Sequence, residues 1–99
     1  MEYKIVSIMH SGTRGTRMSP RVDGRYPQRI GRIVDLDVPN IREGKSLIIR
    51  YIKDSDGTDY DAVVVTSIVK RFWVEDESDD DFEILYVETL NSIFRFEKV

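Results

Sequence analysis

The sequence predicts an all-β single domain over residues 1–99, built as a small, partly open barrel of five to seven strands. Three observations carry that expectation. The chain has 99 residues, enough interior for one hydrophobic core and not for two. Its composition, 40% hydrophobic and 33% charged, is globular with more charge than the usual quarter. Its apolar residues come in short β-branched and aromatic runs at roughly 8–12-residue spacing, separated by turn signals.

The runs follow one another in order. Tyr3–His10 is rich in Ile and Val and is ended by Ser11-Gly12. Ile30–Leu36 comes next, closed by Asp37 and the turn residues Pro39-Asn40. Leu47–Ile52 is opened by Gly44-Lys45-Ser46, and Tyr60–Thr66 is nearly pure valine at its centre. Between these two, Asp56-Gly57 is a strong hairpin signal. Phe82–Leu90 and Ile93–Phe96 complete the set.

One stretch carries two signals. Across Ser67–Asp76, Ile68, Val69, Phe72 and Trp73 share one helical face with Ser67 placed as an N-cap. Its β-branched and aromatic content, and the polar turn that follows, favour a hairpin strand. The expectation is a strand, with a short helical turn near 66–72 reconciling both. The hairpin over 69–89 is long for so small a chain and is expected to project, offering an edge for β-augmentation or self-association. The nearest architectures, by analogy alone, are SH3-like and OB-like barrels, which host many unrelated functions.

Charge is laid out unevenly. The net is −3, but residues 1–53 hold eleven Lys and Arg against five acids, while residues 54–99 hold four against thirteen. The halves therefore carry +6 and −9. Either they neutralise each other inside one fold, or the basic residues gather on a face and recruit an anion.

Several chemistries find no support. Cysteine is absent, which removes disulfides, thiolate metal sites and a cysteine nucleophile. His10 stands alone at a strand end, and the chain has no Walker-type loop, dinucleotide fingerprint or His-pair metal motif. Gly44-Lys45-Ser46 echoes the end of a phosphate loop, but Pro39 occupies the position that needs glycine. Asp54–Asp61 resembles a calcium loop at a glance, yet Gly57, Thr58 and Val65 break the EF-hand pattern, so a turn is expected and no metal. The seven carboxylates of Glu75–Glu83 read as a solvated loop. No enzyme activity, cofactor or catalytic residue is expected. No run approaches the ~18 apolar residues that span a bilayer, and the first residues lack a secretory n-region and h-region. A cytoplasmic protein without a membrane partner is the default.

The strongest candidate for function is the Arg-rich loop at 11–29. Arg14, Arg17, Arg21, Arg25, Arg29 and Arg32 recur every three or four residues, with Asp23 alone opposing them. Guanidinium groups grip phosphate or carboxylate in two-pronged fashion and stay charged at any cellular pH. Gly12 and Gly15 let backbone N–H groups approach an anion, and Thr13 and Thr16 add hydroxyls. Tyr26 is placed to stack on a base or on a neighbouring guanidinium. Repeated Gly and Pro, with no apolar stripe, make this a loop rather than a helix.

Two functions are therefore expected to compete. The first is a non-enzymatic binding module whose Arg-rich loop holds an anionic partner, nucleic acid or an acidic protein surface. The second is a protein–protein or self-assembly module, a homo-oligomer using the charge asymmetry and the 69–89 hairpin, with no nucleic-acid role.

Overall fold

The computed structural model describes residues 1–11, 20–22, 26–77 and 82–99. Six antiparallel strands follow the chain: β1 (Glu2–His10), β2 (Ile33–Asp35), β3 (Ser46–Lys53), β4 (Asp59–Glu77), β5 (Phe82–Thr89) and β6 (Ser92–Lys98). Each pairs with the next, and β6 pairs with β1, so the ring is closed. The sequence-based expectation of a small all-β barrel with five to seven strands holds, and its partial opening is replaced by closure. The connectivity is an unbroken meander, unlike the Greek-key order of OB barrels.

The interior is filled by the alternating positions that period-2 patterning requires. Tyr3 and Ile5 of β1, Leu47, Ile49 and Tyr51 of β3, and Phe94 and Phe96 of β6 are all buried. Val34 and Leu36 join them, with Ile41 following a 3-10 turn at Val38–Asn40. Phe94 and Phe96 stack with centroids 5.7 Å apart, and Tyr3 meets Phe96 edge-on at 6.4 Å.

Residues 66–72 are strand throughout, which corrects the expected helical turn. The apparent conflict of signals marks a bent strand instead. β4 carries one extra residue between Val65 and Ile68, opposite Ser46 and Ile48, and another between Val69 and Arg71, opposite Thr89 and Glu88. Bulges bend a strand and sharpen its twist. Here they let β4 leave β3 and join β5 within a few residues. The Leu47 N–H that faces the first bulge is satisfied by Thr66 Oγ1 at 3.0 Å. A helix would forfeit these cross-strand bonds, including Val69 N–H to Lys45 O at 2.9 Å.

Two further expectations shift at the second strand. Ile30–Leu36 shortens to Ile33–Asp35, because Ile30 and Gly31 form a turn in which Gly31 takes φ +89°. Ahead of that turn, within the stretch expected to be loop, lies a four-residue helix, α1 (Tyr26–Arg29). Gly31 N–H then donates to Ile5 O at 2.8 Å, docking α1 against β1. The Asp56-Gly57 turn is present, with Gly57 at φ +87°. Asp56 Oδ1 accepts from Thr58 N–H and its hydroxyl, so these oxygens close a turn. No described helix is long and apolar enough to cross a membrane.

Candidate anion site

The structure separates the six regularly spaced arginines and places Tyr26 among some of them. Arg14, Arg17 and Arg25 lie outside the described residues. Arg21, Tyr26 and Arg29 come together, while Arg32 faces elsewhere.

Pro20 and Arg21 run along the edge of β1 where β2 has ended: Pro20 bridges Met9, and Arg21 N–H donates to Ile8 O at 2.9 Å. This places the Arg21 guanidinium over the Tyr26 ring, 3.9 Å from its centroid. Arg29, one turn along α1, lies 4.8 Å from the same ring. Tyr26 is thus occupied by guanidinium groups rather than standing open for a base. Arg21 also donates through Nη1 to Ser92 Oγ at 2.6 Å. Arg29 makes no ion pair with any described residue.

Beside this cluster, between α1 and the wall of the barrel, is a pocket of about 180 Å³. Tyr26 and Arg29 form one side, and Ser67, Asn91 and Ser92 supply hydroxyl and amide groups on the other, while the Thr66 hydroxyl beside them is spent, donating to Ser67 O at 2.7 Å and accepting from Leu47 N–H. Among the described residues, none that lines it is acidic. Its size is below the roughly 300 Å³ at which pockets enclose a whole drug-sized ligand, and suits an oxyanion group carried by something larger. The β4 bulge brings Thr66 and Ser67 here, and the β5–β6 turn brings Asn91 and Ser92. Sequence reading missed these four, because only the strand pairing joins positions so far apart in the chain.

Tyr51, packed beneath the arginines, has a buried hydroxyl with no hydrogen-bond partner among the described residues. Burial pushes its pKa up, while nearby Arg29 and Arg32 act against that rise.

Arg32 is consumed by the fold. Its Nε lies 3.2 Å from Asp54 Oδ1, and its guanidinium sits 4.9 Å from the Tyr51 ring and 4.5 Å from that of Tyr60. Its side chain is 12% exposed. This pair joins the basic half of the chain to the acidic half, so internal neutralisation holds at Arg32. Arg71–Glu88, Arg95–Glu97 and Lys98–Glu83 instead lie within the acidic half.

Farther along β4, Trp73 and Tyr86 pair across β4 and β5 and stack with centroids 5.0 Å apart. Arg71 lies 4.9 Å from the Trp73 ring. Arg71 Nε meets Glu88 at 2.5 Å and Arg95 Nη2 meets Glu97 at 3.5 Å. Among the described residues, no three His, Asp or Glu gather as a metal site would require. Comparison of the chain with family models, curated proteins and solved structures finds no match.

Proposed function

We propose that this protein is a small non-enzymatic binding module that holds phosphate groups of a nucleic-acid backbone at the α1 pocket. The observation that carries the reading is Arg29. Among the described residues, its pocket has no acidic lining residue, hydroxyl and amide groups stand opposite, and Arg29 has no carboxylate partner. Arg21, fixed to Tyr26 and Ser92, adds a second charge beside it. Bidentate guanidinium donors with converging hydroxyls match the tetrahedral oxygens of a phosphate. Because guanidinium groups already stack on Tyr26, the reading predicts backbone contacts and little base preference.

The test is fluorescence anisotropy with a short labelled single-stranded oligonucleotide across about 50–200 mM salt. Each phosphate-contacting arginine contributes about 0.7 to the salt slope on single strands. Arg21→Ala with Arg29→Ala is therefore expected to lower the slope by about 1.4. Binding that ignores both salt and the double substitution overturns the proposal. Preferential displacement of the oligonucleotide by an acidic polypeptide points to an acidic protein surface instead.

A further inference from the structure

We infer that β4 is the dimerisation edge of this protein, pairing antiparallel with the same segment of a second copy about a two-fold axis at Trp73. The inference rests on the edge of β4 from Lys70 to Glu77 and uses none of the residues that line the anion pocket.

It begins with strand lengths. β4 has nineteen residues, and β3 pairs with it only as far as Ile68. The last backbone bonds on that edge are Gly44 N–H to Val69 O and Val69 N–H to Lys45 O, both 2.9 Å. From Lys70 to Glu77, β5 covers one edge, and among the described residues no strand covers the other. Natural edges are blunted by proline, bulges, short length or charged side chains, and the charges on this one, among them Lys70, Arg71 and Glu75, are of both signs, so a second copy can match them. This one has no proline, and from Phe72 to Glu77 its pairing with β5 is regular. Phe72 and Val74 on it are 37% and 45% exposed.

The sequence on this edge is complementary to itself. A two-fold axis perpendicular to a sheet keeps each residue on its own face, so only axes centred on a residue are allowed. Centred on Trp73, the axis sets Arg71 opposite Glu75 of the second copy, Phe72 opposite Val74, and Trp73 opposite Trp73. Every pair is then opposite in charge or apolar, the combinations that stabilise neighbouring strands. Centred on Phe72, it sets Lys70 against Val74 and Arg71 against Trp73. Centred on Val74, it sets Trp73 against Glu75. Arg71 commits its Nε to Glu88, which leaves both terminal amino groups for a carboxylate, and its side chain is 63% exposed. The contact is isologous and closes at two copies.

Sedimentation velocity at low salt is expected to show the 11.6 kDa chain moving towards twice its mass as concentration rises, and returning as salt rises. Glu75→Lys sets two cations against each other and is expected to leave monomer only. The register is tested with cysteines, since the chain has none. Directly opposed residues on antiparallel strands lie about 4.5–5.5 Å apart, within disulfide range. Under mild oxidation, Phe72→Cys mixed with Val74→Cys is expected to give the cross-linked heterodimer, and each variant alone several-fold less. A monomer at high concentration in low salt, a dimer that survives Glu75→Lys, or equal cross-linking of each variant with itself overturns the inference.

Discussion

Arg32→Ala separates a structural arginine from the anion-holding ones. Arg32 touches two rings, Tyr60 at 4.5 Å and Tyr51 at 4.9 Å, with its side chain 12% exposed. A partly desolvated cation over a ring stabilises by about 1 kcal/mol, so two contribute about 2 kcal/mol before the Asp54 bond is counted. For a domain of this size, each kcal/mol moves Tm by about 4–8 °C. Arg32→Ala should therefore lower Tm by about 8–16 °C in a circular-dichroism melt. Arg32→Lys keeps the charge but not the planar stack, and should fall between. Both variants, where folded, should keep the wild-type salt slope for oligonucleotide binding. A Tm change under about 3 °C refutes the structural assignment. A folded variant whose slope falls as it does on losing Arg29 refutes the division of roles.

Three further outcomes are expected. Gly31→Ala, at φ +89° and with the new Cβ 3.1 Å from Ser55 Cβ, should destabilise by about 1–2 kcal/mol and weaken oligonucleotide binding by loosening α1, read by urea unfolding and anisotropy together. Burial raises the pKa of both Tyr3 and Tyr51, and Glu83 adds to the rise at Tyr3. The folded state thus holds these protons more tightly than the unfolded state. Their contribution is complete below the ordinary tyrosine value of 10.0 and is lost as pH rises beyond it, so denaturant midpoints should fall on the alkaline side and fall less in Tyr3→Phe. At the acid end, the Ser55 N–H and Arg32 hold Asp54 below its usual range, and the Thr58 hydroxyl and N–H do so for Asp56. That contribution is present above the ordinary value of 3.8 and lost as pH falls through the lowered one; carboxylate NMR titration should show Asp54 rising in Arg32→Ala.

Much of the barrel was legible because strand signals are local. Alternation at Tyr3 and Ile5, at Leu47, Ile49 and Tyr51, and at Phe94 and Phe96 states which face is buried before any partner is known. Asp56-Gly57 announces its turn for the same reason. The helical spacing at 66–72 misled because a bulge adds one residue to a strand, shifting its alternation much as a helix would. α1 was hidden because four residues cannot show a period. The site was only half visible: the recurrence of arginines located Arg21, Tyr26 and Arg29, but spacing could not distinguish Arg29 from Arg32. What separates those two is Asp54, delivered by the β3–β4 turn. Likewise Thr66 and Ser92 become neighbours only through the strand pairing.

Sealing β6 against β1 joins residues 2–10 to residues 92–98, which fixes the order of events during synthesis. At about 5–20 residues per second, the first strand waits roughly 4–18 s on the ribosome for the stave that will flank it. Throughout that interval Tyr3, Ile5 and Ile8 lack their aromatic cover from Phe94 and Phe96. Chaperone engagement is best sought in this nascent window, on the strand of the barrel that waits longest for its partner.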